Sequence, residues 1–327
     1  FCSLRGLTTG RRHAALDARG IDASMRAELD ALIAVDDDGC ALGLERFLVD
    51  DPPASAAPRR IGPWQTIEVI GAGGMGTVWL GERADGVYEQ RVAIKIAHAA
   101  DRADGRAAEN ERRLLARLAH PHIARLLDAG HTSDGEPYMV MDLVEGEPLM
   151  AYCDRHRLDV AQRLALFLIV CDAVQHAHQS LVVHGDVKPS NILVTTAGQI
   201  RLVDFGVGRL LGTSQDGGDS EVGATGVTPA YASPEQMRGE PISTATDVHA
   251  LGLLLYELLV GDRARADASC DDASDARPET TPAMTPSQRL AAWQRADPAR
   301  ARVVAAARGT HPRALGRRLR GDLDAIV

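Results

Sequence analysis

A glycine string between two β-branched runs restricts the fold of this chain more than any other sequence feature. Residues 71–76 read G-A-G-G-M-G, and the runs on either side, 66–70 and 77–80, read T-I-E-V-I and T-V-W-L. A dinucleotide-binding fold places a G-x-G-x-x-G string at the start of a helix, where the helix N-terminus meets pyrophosphate. A strand-like run follows the string here. The pattern therefore predicts a glycine-rich hairpin whose backbone N–H groups can approach phosphate oxygens, with an ordinary hairpin turn as the alternative.

Lysine is almost absent, since only two of the 36 basic residues, Lys95 and Lys188, are not arginine. A lysine in such a chain marks a place where a compact ammonium is needed and a planar guanidinium does not serve. Lys95 ends the apolar run V-A-I-K, where a buried cation is costly without an anionic partner. Glu111, on a helix predicted over about 103–119, is the expected partner, and extension of Lys95 to the surface is the alternative.

Two further segments concentrate polar chemistry around the second lysine. Residues 183–191 read V-H-G-D-V-K-P-S-N, which places an acceptor, a cation and a metal-competent amide within six residues. Thirteen residues after Asn191, residues 204–206 read D-F-G and end a strand-like run with a carboxylate and a glycine hinge. This set exceeds what a turn requires and indicates a functional site.

In this order the motifs resemble those of eukaryotic-type serine/threonine protein kinases, and within them the bacterial Hanks-type enzymes. The resemblance covers residues 61–327 and implies an α+β, bilobal fold. A small antiparallel β-sheet N-lobe with one helix is expected over about 61–144, and a larger, mainly helical C-lobe over about 145–327. Residues 223–235, which include T-P-A-Y at 228–231 and S-P-E at 233–235, resemble the peptide-docking and A-P-E region and imply a protein hydroxyl as substrate. Asp247 resembles the buried aspartate that braces the catalytic loop.

The resemblance implies a role for each matching residue. Asp186 accepts or orients the substrate hydroxyl proton, Lys188 sits beside the γ-phosphate, and Lys95 holds the α- and β-phosphates of ATP. Asn191 and Asp204 hold Mg²⁺. The resemblance implies further nucleotide-contact positions, which are Gly71, Gly73, Gly74, Gly76, Val78, Ala93, Glu111, Met141, Asp142, Val144 and Leu193. Met141 is the expected gatekeeper.

Three departures from the family pattern carry consequences. Gly185 stands where the family often has the arginine that pairs with an activation-loop phosphate, so activation is expected to depend weakly on phosphorylation. Arg209 is the alternative receiver for such a phosphate. Ser233 replaces an alanine, which is a mild change. The arginine that normally pairs with the equivalent of Glu235 is expected beyond residue 327.

The rest of the sequence indicates the domain organisation and argues against some classes of partner. Residues 1–50 are predicted to be a helical accessory segment, and 51–60, D-P-P-A-S-A-A-P-R-R, a linker. The net charge of −9 argues against nucleic acid as a partner. The five cysteines form no C-x-x-C pair, and no run of about 18 apolar residues occurs, so a cytoplasmic domain without a membrane segment is expected.

Two functions remain open at this point. The first is an active kinase that phosphorylates protein substrates and self-associates for trans-autophosphorylation. The second is a pseudokinase or scaffold that binds nucleotide or partner proteins without turnover. Loss of the strand lysine, the catalytic aspartate or the metal-binding aspartate usually marks the second class. All three residues are present, which favours the kinase.

Overall fold

A six-stranded antiparallel sheet forms the N-terminal part of the structure. The structure, a computed structural model, describes residues 58–73, 76–97, 114–205, 228–263 and 284–327. All of them fall in one compact unit. The strands are β1 (Arg60–Ile61), β2 (Trp64–Gly73), β3 (Gly76–Arg83), β4 (Arg91–Ile96), β5 (Leu126–His131) and β6 (Pro137–Asp142). Their order across the sheet is β1-β2-β3-β4-β6-β5.

This sheet confirms the predicted antiparallel N-lobe, and it adds β1 and β5, which the sequence pattern missed. The beginning of the lobe also needs a correction, because β1 starts at Arg60, inside the stretch predicted to be linker. Arg59 forms ion pairs with Asp134 at 2.8 Å and with Glu136 at 2.7 Å. These two arginines therefore belong to the lobe.

Strand β4 shows how the sequence pattern becomes a two-faced sheet. Val92, Ile94 and Ile96 are at most 5% exposed and share a hydrophobic cluster with residues such as Trp64 and Trp79. Successive side chains of a strand point to opposite faces. Ala93 and Lys95 therefore project from the opposite face.

Strand β3 begins at Gly76, where only a glycine lets β3 lie beside β4. Gly76 has φ of +140°, and a Cβ atom there would lie 2.3 Å from the carbonyl oxygen of Ile96. No side chain fits so close to a backbone oxygen. The last glycine of the string thus lets β3 lie flat against β4.

The C-terminal part is mainly helical, as predicted. It contains a small antiparallel sheet, β7-β8-β9, of strands Gly146–Pro148, Ile192–Thr195 and Ile200–Leu202. Its helices are α1 (Leu149–Arg155), α2 (Val160–Gln179), α3 (Pro234–Met237), α4 (Thr244–Val260), α5 (Pro286–Ala296), α6 (Pro298–Ala307), α7 (Pro312–Leu319) and α8 (Asp322–Ile326). Helix α4 contains Asp247, the residue that resembles the bracing aspartate.

Helix α2 is long and apolar enough to cross a membrane by length and composition, whereas the sequence analysis expected no such segment. Its residues Val170, Ala173, Val174 and Ala177 lie in the central hydrophobic cluster together with Leu254 of α4. Packing within this cluster accounts for the apolar residues on that face of the helix, whereas Leu168 on another face is 65% exposed.

Two buried arginines secure the C-terminal end of α4. Arg308 donates to the carbonyl oxygens of Glu257, Leu258 and Leu259 at 2.7–3.2 Å. Arg163 shares Asp154 as an anion with Arg308, at 2.6 and 3.8 Å. Burial, followed by the nearby Arg163 charge, lowers the pKa of Arg308 to about 9. Cations favour helix C-termini, where the last carbonyls have no partner within the helix.

Candidate active site

Lys95 is 5% exposed, and its ammonium makes an ion pair across the cleft between the lobes. Its Nζ lies 3.1 Å from Oδ2 of Asp204, the first residue of the D-F-G motif. Asp204 has φ of +62°, a left-handed conformation that is uncommon outside glycine. The expected anion for the buried lysine is therefore present, supplied by the C-lobe. Glu111, the partner predicted from sequence, lies outside the described residues.

The predicted catalytic loop forms one connected polar cluster. The Asn191 amide donates from Nδ2 to both the backbone oxygen and Oδ2 of Asp186, each at 2.9 Å. Lys188 Nζ lies 2.9 Å from the same Oδ2 and donates to Thr228 Oγ1 at 2.7 Å. The loop thus brings Asp186, Lys188 and Asn191 together and joins them to the segment that precedes α3.

Asp247 anchors the start of this loop through hydrogen bonds to its backbone. It is 1% exposed and lies in the first turn of α4. Its carboxylate accepts backbone hydrogen bonds from His184 and Gly185, both at 2.8 Å, and contacts His178 Nε2 at 2.7 Å. Because these donors lie at the start of the loop, α4 determines where the loop begins.

Gly185 occupies a conformation that suits glycine. Its φ is +75°, and a Cβ there would lie 3.0 Å from Cδ1 of Ile242. The carbonyl oxygen of Gly185 accepts a hydrogen bond from Gln236 Nε2 at 2.7 Å. Gly185 is therefore held at its N–H by Asp247 and at its C=O by Gln236.

The apolar positions predicted to contact nucleotide lie on strands of both lobes. In the N-lobe, Val78 pairs with Lys95, and Ala93 pairs with Met141, so these side chains lie on adjacent strands. Leu193 lies on β8, the strand that follows the catalytic loop. Of the glycine string, Gly71, Gly73 and Gly76 lie at the ends of β2 and β3, while Gly74 lies outside the described residues.

The connection between the lobes is braced by an ion pair. Asp142, at the end of β6, contacts Arg125 Nε through Oδ2 at 3.0 Å and donates its backbone N–H to the Arg125 carbonyl. Val144 follows between β6 and β7 and is partly buried. The pairing of Arg125 with Asp142 was not predicted from sequence.

A cavity lies between Met141 and the start of the D-F-G segment. Met141, Asp204 and Phe205 contribute to its walls. The other lining residues are Leu115, Leu118, Ile123, Ala124, Leu126 and Met139. Apolar side chains dominate, so the cavity suits apolar groups.

The donor atoms near Asp204 suit a hard divalent cation. The backbone N–H of Val203 donates to the carbonyl of Asn191 at 2.9 Å, which places Asn191 beside the residue that precedes Asp204. Because both hydrogen bonds of Asn191 use Nδ2, its Oδ1 has no bond to a described residue. An amide oxygen and a carboxylate are typical Mg²⁺ ligands. The residues present therefore fit the metal that the sequence predicted.

The peptide-docking segment packs against both ends of α4. Tyr231 donates its hydroxyl to Glu257, and burial is the main cause of its raised pKa. Thr246 donates to Glu235 at 2.7 Å, and this hydrogen bond lowers the pKa of that carboxyl. Ser233 is buried and caps α3 by accepting the N–H of Gln236 at 3.3 Å. The serine therefore has a definite structural task, which the sequence analysis did not foresee.

Three contacts around the loop were not assigned from the sequence: that of His178 with Asp247, that of Thr228 with Lys188 and that of Gln236 with Gly185. The sequence carried a signal for Gln236, because a serine followed three residues later by glutamine is a capping-box pattern. His178 and Thr228 carried none, since their contacts join positions 40 or more residues apart.

Comparison with known families and relatives agrees with this geometry. The family model described as "Protein kinase domain" matches residues 64–299. Serine/threonine-protein kinase PknA of Mycobacterium tuberculosis is 37% identical over 210 residues, which are 62% of this chain and 48% of PknA. PrkC of Bacillus subtilis is 37% identical over 205 residues, which are 61% of this chain and 31% of PrkC. The chain thus spans less than half the length of these relatives.

A solved structure shares the architecture. The kinase domain of M. tuberculosis PknI is 26% identical, with a TM-score of 0.55. The match covers 84% of this chain and all of the PknI domain. The bilobal fold predicted from the motifs is therefore confirmed.

Proposed function

Because the chain belongs to the protein kinase family, we propose that it transfers the γ-phosphate of ATP to serine and threonine hydroxyls of proteins. The observation that carries this proposal is the polar cluster of Asp186, Lys188 and Asn191, together with the Lys95–Asp204 ion pair across the cleft. Phosphoryl transfer needs little covalent help and much neutralisation of negative charge. These residues supply two cations, a base and metal ligands.

Each residue has a task that follows from its charge. Asp186 orients the acceptor hydroxyl and takes up its proton, while Lys188 beside it neutralises charge on the transferred group. Lys95 exchanges part of its contact with Asp204 for the α- and β-phosphates of ATP. The glycine hairpin of β2 and β3 places backbone N–H groups over the same phosphates.

A divalent cation, which we propose to be Mg²⁺, supplies charge neutralisation for the phosphates when ATP is bound. Asn191 and Asp204 would hold it through the side-chain oxygens that bond to no described residue. Lys95 orients the Asp204 carboxylate through their ion pair at 3.1 Å.

The docking segment supports a protein as the acceptor. Residues 228–235 lie between the catalytic loop, contacted through Thr228, and α4, contacted through Tyr231 and Glu235. A small-molecule kinase would not require a segment so placed. We also propose self-association for trans-autophosphorylation and a cytoplasmic location for this domain, with residues 1–50 as an accessory segment.

Transfer of ³²P from [γ-³²P]ATP to a generic basic protein tests the proposal. We expect incorporation by the wild-type chain and a loss of about 100- to 1,000-fold in Asp186→Asn, the range typical for groups that act on transition-state charge. Asp172→Asn serves as the control, because this carboxylate is 72% exposed on α2 and outside the site. Nucleotide binding by the wild-type chain without transfer would favour the pseudokinase instead.

A further inference from the structure

Gln236 joins the docking segment to the catalytic loop through both ends of its side-chain amide. Its Oε1 accepts the backbone N–H of Ser233 at 2.9 Å, which fixes the amide at the start of α3. Its Nε2 then points away from the helix and donates to the Gly185 carbonyl at 2.7 Å. Because each end of the amide has one partner, its orientation is determined.

The peptide unit that receives this bond leads directly into the catalytic aspartate. The Gly185 carbonyl and the Asp186 N–H belong to one planar group, and the N–H lies 3.3 Å from His184 Nδ1. Rotation of this plane would move the Asp186 backbone and hence its carboxylate. The hydrogen bond from Gln236 opposes that rotation on the carbonyl side.

Glycine at position 185 makes such a restraint necessary. Glycine populates positive and negative φ about equally, so the observed φ of +75° is not selected by local sterics. Asp247 restrains the N–H of Gly185, but that bond lies on the preceding peptide plane. Among the described residues, Gln236 supplies the hydrogen bond that holds the plane entering Asp186 through its carbonyl.

We propose that Gln236 is a positioning residue that couples the docking segment to Asp186 without a phosphate. This inference rests on the proposed kinase function. In relatives with arginine before the catalytic aspartate, an arginine–phosphate pair can join these two segments, whereas Gly185 offers no cation. The neutral amide of Gln236 connects the same two segments and is present whether or not the loop is phosphorylated.

Gln236→Glu tests the donor end alone. The carboxylate still accepts from Ser233, but it has no hydrogen to donate and faces the Gly185 oxygen. We expect kcat for a protein substrate to fall at least tenfold at pH 8, equivalent to about 1.4 kcal/mol, while KM for ATP changes less than twofold. Gln288→Glu is the matched control, because Gln288 accepts the backbone N–H of Thr285 at 3.1 Å at the start of α5, far from the loop in sequence.

The pH dependence separates positioning from loss of fold. A protonated glutamic acid can donate to the Gly185 carbonyl and accept from Ser233, as the amide does. The activity of Gln236→Glu relative to wild type should therefore rise as pH falls from 8 toward the ordinary glutamate pKa of about 4.3. Gln236→Met, which has no donor at any pH, should stay low throughout. A kcat of Gln236→Glu within twofold of wild type, or an equal loss in Gln288→Glu, would overturn the proposal.

Amide hydrogen exchange decides the matter independently of turnover. Exchange in residues 182–188 should be faster in Gln236→Glu than in wild type and unchanged in Gln288→Glu. If the wild-type chain transfers no phosphate, the proposed function fails, yet this comparison still tests the coupling. Equal exchange in all three proteins would show that Gln236 does not restrain the loop.

Discussion

Asp247 offers the sharpest test of how the fold supports the catalytic loop. Its buried carboxylate has three hydrogen-bonding partners, the backbone N–H groups of His184 and Gly185 and the ring of His178, all within 2.8 Å. A hydrogen bond to a charged group contributes about 1.5–3 kcal/mol. Removal of the carboxylate in Asp247→Ala leaves these buried donors without their acceptor. Water that enters the vacated space can satisfy part of these donors. We therefore expect the free energy of unfolding to fall by about 3–5 kcal/mol, which is less than the sum of the three hydrogen bonds.

The assay is urea unfolding followed by circular dichroism, with turnover measured on the same preparations. Asp247→Asn should fall between wild type and Asp247→Ala, because its amide oxygen still accepts one N–H while its NH₂ faces another donor. Asp297→Ala is the control, since this exposed carboxylate accepts the N–H of Arg300 at 3.0 Å as an N-cap. An N-cap contributes about 1 kcal/mol. An equal loss in Asp247→Ala and Asp297→Ala would refute the assignment of Asp247 as the anchor of the loop.

Three further predictions follow from the site and its surroundings. Lys95→Met should reduce turnover about 100- to 1,000-fold with little change in melting temperature, as measured by ³²P transfer and calorimetry, because the lysine acts on charge that develops during transfer. Phosphatase treatment should change kcat less than tenfold, because Gly185 provides no cation for a loop phosphate; a larger loss would identify another receiver, such as Arg209. Burial raises the pKa of Cys153 to about 11, so its contribution to stability is present below pH 9 and is lost as pH rises toward 11. Urea unfolding between pH 8 and 11 under reducing conditions should show a steeper decline for wild type than for Cys153→Ala.

The chemistry of the site was readable from the sequence because short motifs carry it. The segment H-G-D-V-K-P-S-N places Asp186 and Asn191 within one turn-sized stretch, and local geometry alone brings them into contact. The V-A-I-K run likewise showed that Lys95 is buried and needs an anion. Asp186 and Asn191 lie on the same loop, and the burial of Lys95 follows from its own apolar strand.

The bracing of the catalytic loop by Asp247 was implied by the motif resemblance, but other partners across the chain were not readable from the sequence. The predicted partner of Lys95, Glu111, lies outside the described residues, and the contact of Lys95 with Asp204, 109 residues away, was not predicted. The contact between His178 and Asp247 spans 69 residues, and the contact between Gln236 and Gly185 spans 51. No periodicity or local propensity encodes such separations.

The sequence by itself showed the glycine-rich hairpin and the identity of the charged groups, because runs of apolar residues and glycines specify strands and hairpins locally. The fold class and the two lobes were implied by the resemblance of its motifs to those of protein kinases. Tertiary structure decided which anion meets which cation and how the catalytic loop is held. The physical reason is that a buried polar group must find a partner wherever packing places one. Gly185 shows this division: its residue type was evident in the sequence, but its restraint by Asp247 and Gln236 exists only in the folded chain.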